Sequence, residues 1–233
     1  GSMSVLAVAE KGNLFNAPET YMEKIAVGSH IPKDTVDLDF SVEKNLRNYA
    51  DVVNKKISDL TVCILDRGRH DEIINELKRF NVNLKLISDG DLSGALLVSD
   101  KKFNVDIFMG TGGGPEGVIA ASALNTLNCN FQGRFIFKTE KDKFRAKKMG
   151  IEDLNRKYEI NEIVTSESIF CATAITSGDL MNGIIKKNDK FITETIFAYN
   201  NPVLEKVKKE VTITWLIEQI TIKDPALVPS SIG

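Results

Sequence analysis

Histidine, cysteine and tryptophan are scarce in this chain: two, three and one of them in 233 residues. With only His30 and His70 available and no serine in a nucleophile motif, a Ser/His or Cys/His nucleophile is not supported. Cys63, Cys129 and Cys171 are odd in number, far apart and outside C-x-x-C spacing, which speaks against paired disulfides and against a zinc site. Each lies in or beside an apolar stretch, where a thiol behaves as a small hydrophobe. Neither sign of charge is in excess, since 30 basic and 32 acidic side chains leave a net charge of −2. That balance argues against a nucleic-acid-binding surface, which would need a basic excess or stripe. No apolar run approaches the roughly 18 residues of a membrane span. Internal repeats and low-complexity segments are also missing. A signal peptide is not expected, since Gly1-Ser2-Met3 reads as a tag scar, and the expected address is cytoplasmic.

What is present is an ordinary globular composition, 42% hydrophobic and 27% charged, with length enough for a sizeable core. Residues 4–9 read as a strand and residues 10–13 as the turn of a hairpin. Pro18, Gly28 and Pro32 mark a loop-rich passage. Ser41 is placed to cap a helix reaching about Asn54. The clearest pattern follows. An apolar β-branched strand over residues 61–65 is broken by Asp66-Arg67-Gly68-Arg69, and Ile73, Ile74, Leu77 and Phe80 then recur at helical spacing. The alternation repeats with a strand at 83–87, a helix at 92–98 and a strand at 105–109. A glycine turn at 110–114 and a helix at 115–127, opened by Pro115, complete it. Such βαβ units predict an α/β fold: a layered parallel or mixed sheet with flanking helices. Further strands are expected at 131–137, 169–175 and 191–199, a basic helix at 142–149, a solvated helix face over 206–210, and a frayed tail over 225–233.

In open α/β sheets ligands bind beyond the carboxyl ends of the strands, and all three strand-to-helix turns of the unit carry functional groups. Arg67 and Arg69 offer two guanidinium forks one residue apart, suited to a phosphate; the bland reading pairs them with Asp66 or Asp71 on the surface. Asp89 and Asp91 flank Gly90, where they could accept from sugar hydroxyls or bind a hard cation, or simply cap the next helix. The third turn, from Gly110 to Gly117, lets backbone amides approach an anion at a helix start. Gly112, Gly114 and Gly117 satisfy G-x-G-x-x-G, so a nucleotide-cofactor oxidoreductase has to be weighed. The motif follows the third strand of the unit, however, and Glu116 would repel a pyrophosphate unless a cation stood between them. A phosphosugar site with Glu116 serving a metal accounts for more of these residues.

At these residues the chain resembles the class II fructose-1,6-bisphosphatases of the lithium-sensitive sugar-phosphatase superfamily. The likeness is carried by residues 21–28 (Tyr-Met-Glu-Lys-Ile-Ala-Val-Gly), 65–70, 86–94, 109–121 and Gln132-Gly133-Arg134, and more loosely by 172–183. It implies metal-dependent hydrolysis of the 1-phosphate of fructose 1,6-bisphosphate in gluconeogenesis, with Mn²⁺ or Mg²⁺. Carried over by position, Tyr21, Arg67 and Arg69 would hold the non-reacting phosphate, Asp89 and Asp91 the sugar hydroxyls, Gly113 the substrate through its backbone, and Glu116 a metal. The family's D-P-x-[DE]-G-T motif, which supplies the other metal ligands and the catalytic residues, has no match here. Gly68 stands where proline is usual, and Thr193-Glu194-Thr195 where Thr-His-Ser is expected. The resemblance therefore implies a truncated, split or degenerate member. Residues 4–40 would be a remnant of an N-terminal domain, 41–200 the sugar-phosphate-binding domain and 201–233 a divergent extension. Such a chain is expected to bind substrate weakly, to turn over nothing, and to self-associate through exposed strand edges as a homo-oligomer. A non-catalytic sugar-phosphate-binding or regulatory subunit is the competing role.

Overall fold

A computed structural model describes residues 1–199 and 205–212. Its elements in chain order begin with β1 (Met3–Ala9), β2 (Tyr21–Val27), α1 (Val42–Val53), β3 (Thr61–Leu65), α2 (Asp71–Arg79) and β4 (Asn83–Ile87). Next come α3 (Asp91–Leu96), β5 (Ile107–Gly113), α4 (Gly114–Thr126), β6 (Asn130–Ile136) and α5 (Glu140–Lys148). The remainder is β7 (Lys157–Glu159), α6 (Ile160–Ile163), β8 (Ser168–Ala174), β9 (Ile185–Lys187), β10 (Lys190–Tyr199) and β11 (Glu205–Thr212). The 225–233 tail and most of the 201–233 extension lie outside the described residues.

The expected mixed α/β architecture is present, in two sheets. One is six-stranded in the order β4-β3-β5-β2-β6-β7; the other is five-stranded, β1-β8-β10-β11 with β9 beside β10. β3 runs parallel to β4 and to β5, while β2 runs antiparallel between β5 and β6. Ser41 caps α1 as its position predicts, its hydroxyl accepting from the Lys44 amide. In α2 the helical spacing buries Ile74 and Leu77 against the sheet and leaves the charged face in water. α4 has no polar face: Val118, Ala120, Ala121, Ala123 and Leu124 are all buried. A helix apolar all round has to be covered all round, and α4 packs between the two sheets, touching β8 on one side and β2, β5 and β6 on the other. Its two buried hydroxyls are satisfied, Ser122 by Ser168 of β8 and Thr126 by the Ala123 carbonyl of its own helix. A second core, with Leu46, Tyr49, Ile64 and Leu77, fills the opposite face of the six-stranded sheet under α1 and α2. Cys63 and Cys129 are core residues, and burial pushes their thiols up to about 12 and about 11.

Four local expectations are corrected. Residues 4–9 do not enter a hairpin; β1 pairs antiparallel with β8, more than 150 residues away along the chain. The passage between Pro18 and Pro32 holds β2, a strand near the centre of its sheet, because both its faces are covered: Met22 and Ala26 join one core, Ile25 and Val27 the other. The glycines at 110–113 are not a turn but the end of β5, held extended by pairing with residues 21–24 of β2. The charged run at 206–210 is no helix but edge strand β11, paired along β10.

Glu194 has a structural task. Its carboxylate accepts from the backbone and side-chain amides of Asn182, both at 2.9 Å, and pairs with Lys206. Those bonds, led by the Asn182 side chain, lower its pKa to about 2. A carboxyl depressed on folding adds stability that is complete above its unfolded value of about 4.3 and is lost as pH falls through the folded one. Glu194→Gln is therefore expected to be less stable by about 1.5–3 kcal/mol at pH 7. The gap to the parent chain should narrow below roughly pH 4.3; urea melts across that range measure it, and a constant gap would contradict the ionic account.

Candidate functional site

The chain leaves β3 for β4 on one side and returns to β5 on the other, so the carboxyl ends of β3 and β5 meet at a switch point, the usual place for a ligand crevice. β2 enters this rim from the opposite direction. Its first residue, Tyr21, sits opposite Gly113 at the end of β5 and Ile136 at the end of β6. The strand-to-helix junctions carrying Arg67, Arg69, Asp89, Asp91, Gly113 and Glu116 therefore share one edge of one sheet with Tyr21.

His70 fastens the first turn. Its Nδ1–H donates to the Leu65 carbonyl at 2.8 Å and its Nε2 accepts from the Thr111 amide at 2.8 Å, a pattern that requires the neutral ring. Burial lowers the His70 pKa, and Arg69 and Arg67 add to that, so the ring stays neutral at physiological pH. His70 is thus a core residue rather than an acid–base group. Beside it, Arg69 donates from Nε to the Thr111 carbonyl at 2.9 Å, which leaves its terminal nitrogens outward, and its guanidinium lies 5.2 Å from the centre of the Tyr21 ring. Arg67 pairs neither with Asp66 nor with Asp71 through their carboxylates; it reaches Asp89 of the next turn at 4.0 Å.

The two aspartates of the second turn part company. Asp89 is exposed and its carboxylate accepts from the Gly90 amide at 2.9 Å. Asp91 is buried and takes two partners, the Leu92 amide at 3.0 Å and the ammonium of Lys24. Lys24 is the residue that sequence reasoning missed. It sits inside one of the stretches that carry the family resemblance, yet a lysine in a run read as loop gives no sign of burial. In β2 it faces the helix layer with 1% of its side chain exposed, and its Nζ also donates to the Gly113 carbonyl at 2.7 Å. Burial pulls its pKa down, against the opposing pull of Asp91.

This buried pair accounts for the glycine spacing. A Cβ at position 112 would fall on the Asp91 carboxylate and come within 3.1 Å of Lys24 Nζ; one at position 117 would meet Met22 sulfur and lie 2.9 Å from Lys24 Cε. The space that a dinucleotide motif keeps for a pyrophosphate is here filled by the protein's own side chains. Glu116, in the first turn of α4, folds its exposed carboxylate back over Gly113. The Lys24 ammonium is a neighbouring charge that acts on this carboxylate through space.

Past β6, exposed Lys138 places its ammonium 5.2 Å from the centre of the Tyr21 ring, which it shares with Arg69. Lys138 was not singled out by its sequence context; only the pairing of Tyr21 with Ile136 brings it to the rim. Gly113, Pro115, Tyr21, Lys138 and Thr139 line a cleft of about 500 Å³ there. Among the described residues no three of His, Cys, Asp and Glu cluster closely enough to hold a metal ion. Glu116 is a single carboxylate with an ammonium rather than a second acid as its neighbour, so this donor set alone does not make a metal centre. No helix of the described residues is long and apolar enough to cross a membrane.

The chain is thus a mixed α/β protein that gathers guanidinium, ammonium and carboxylate groups on one rim of its six-stranded sheet. The chain belongs to the family described as bacterial fructose-1,6-bisphosphatase, glpX-encoded, whose model matches residues 1–210. It is 41% identical over 197 residues to the D-fructose 1,6-bisphosphatase class 2/sedoheptulose 1,7-bisphosphatase of Synechococcus sp. (strain JA-3-3Ab), covering 79% of this chain and 56% of that protein. To the fructose-1,6-bisphosphatase class 2 of Haemophilus influenzae it is 38% identical over 208 residues, 84% of this chain and 62% of the relative. The chain thus spans somewhat over half the length of these curated relatives.

Proposed function

We propose that the rim is the substrate-holding half of a metal-dependent sugar-bisphosphate phosphohydrolase acting on the 1-phosphate of fructose 1,6-bisphosphate, with sedoheptulose 1,7-bisphosphate as a second substrate. Tyr21, Arg67 and Arg69, joined by Lys138, take the phosphate that does not react. Exposed Asp89 accepts from sugar hydroxyls. Asp91 keeps free lone pairs for the same purpose, because a carboxylate has about four acceptor sites and two are in use. The Gly113 backbone contacts the sugar phosphate, and Glu116 is the one carboxylate offered to Mn²⁺ or Mg²⁺. In the reaction water forms the new P–O bond, the bond to the C1 oxygen breaks, and that oxygen takes up a proton.

The observation that carries this reading is the convergence of three strand-to-helix junctions on one rim, with Arg69 latched to β5 and Asp91 to β2. The names of the relatives agree with it. Because the described residues contribute a single metal carboxylate, these 233 residues on their own are expected to bind without turnover. Calorimetric titration with fructose 1,6-bisphosphate should give saturable binding, and a phosphate-release assay with Mn²⁺ should give none. A flat titration would remove the substrate assignment; steady phosphate release would remove the argument from the single carboxylate.

A further inference from the structure

Lys24 has no part in the roles assigned above, although it is the most buried charged side chain among the described residues. A lysine that only filled this space would do so better as methionine, whose thioether needs no partner in an apolar layer. Its surroundings are instead built around the ammonium. Gly112 leaves room for the head group and for the Asp91 carboxylate, and Gly117 leaves room for the stem. The ammonium joins three segments distant in sequence. It stands on β2, binds Asp91 at the start of α3, and binds the carbonyl of Gly113, three residues before Glu116. Glu116 itself acts on the same ammonium through space.

We infer that Lys24 is a positioning residue whose ammonium sets the distance between the sugar-binding turn at residues 89–91 and the junction of β5 with α4 from Gly113 to Glu116, so that a sugar held by one is presented correctly to the other. This rests on the sugar-bisphosphate reading for its ligand but not for its geometry. It makes a distinction that simple packing does not. Inorganic phosphate needs only the arginine and Tyr21 side of the rim, whereas a sugar bisphosphate needs both segments at the right spacing.

The test is the neutral pair Lys24→Met with Asp91→Asn, which removes both charges together and leaves no lone buried ion. The variant should melt close to the parent chain and bind inorganic phosphate equally well. Because Asp91 itself meets the sugar, the variant's affinity for fructose 1,6-bisphosphate is read against that of Asp91→Asn alone and should fall at least fivefold further. Backbone amides of both segments should exchange with solvent at least tenfold faster than in the parent, while those of β3 and α2 do not change. Exchange in the two segments within twofold of the parent overturns the inference whatever binds, and so does loss of phosphate and bisphosphate affinity in equal measure. If the parent chain binds no fructose 1,6-bisphosphate, the functional reading fails and the exchange data alone decide the role of Lys24. Should the variant not fold, spectra of ¹⁵N-lysine-labelled parent chain decide instead: slow solvent exchange of the Lys24 ammonium protons is expected, and an ammonium exchanging as fast as surface lysines overturns the inference.

Discussion

Gly112→Ala should cost this chain a large part of its stability, although it adds one methyl group to a strand. The methyl lands on the Asp91 carboxylate and within 3.1 Å of Lys24 Nζ. Neither group can step aside. The Lys24 stem is wedged against Gly117, and Asp91 is tied to the Leu92 amide at the first turn of α3. One outcome is overpacking, which costs about 1–3 kcal/mol; the other is rupture of the pair, leaving a buried charge alone at about 3–5 kcal/mol. Against a total stability of roughly 5–15 kcal/mol the second would bring the chain near its unfolding threshold. A melting-temperature drop of about 6–20 °C is expected if the pair breaks. Gly68→Ala is the control, since a Cβ there meets nothing nearer than an Asp71 oxygen at 3.9 Å and its effect should stay within about 0.5 kcal/mol. If Gly112→Ala melts with Gly68→Ala, the carboxylate has room to leave and the buried-pair account of the glycine spacing is wrong.

The same pair shows where the sequence stops being legible. β3, α2, β4 and α4 are readable because each carries its own signal: a β-branched run, apolar residues at helical spacing, a proline at a helix start. The rim is readable by consequence, since parallel strands put their carboxyl ends together and the turns after them carry the polar residues. β2 is not readable in this way. Both its faces are buried, so it lacks the alternation of a half-exposed strand, and a glutamate and a lysine interrupt its apolar residues. What makes it a strand is pairing with β5 and β6, which lie roughly 80 to 115 residues further along. β11 fails for the opposite reason. Its charges look like a solvated helix, and only its register with β10 makes it an edge strand, the place where charged side chains suit a sheet. Lys24 and Lys138 then follow from β2: one is buried by it and the other is brought to Tyr21 by its partner β6. Distant pairing leaves no local mark, and the residues the sequence hid are those that depend on it.

Arg69→Ala should lower affinity for fructose 1,6-bisphosphate by about 10- to 150-fold, the factor for losing a hydrogen-bonded charge worth roughly 1.5–3 kcal/mol. Arg67→Ala should cost clearly less, and the structure says why the two forks are unequal. Arg69 is held in place before any ligand arrives: its Nε is committed to the Thr111 carbonyl and its plane lies by Tyr21. Binding through it orders little that is not already ordered. Arg67 is 44% exposed, its nearest acid is 4.0 Å away, and it must give up side-chain freedom to engage. Arg69→Lys should not restore affinity, because an ammonium reproduces the charge but neither the fork nor the bond back to β5. Melting temperature should hardly move in any of the three, since both arginines are on the surface and Arg69 makes one hydrogen bond to the fold. Raising ionic strength should weaken binding by the parent chain and narrow its lead over Arg69→Ala, because the surface charge involved is screened within about 8–10 Å. An Arg69→Ala chain that binds as the parent does would place the phosphate elsewhere on the rim, and the outward guanidinium of Arg69 would then be only a brace between two turns.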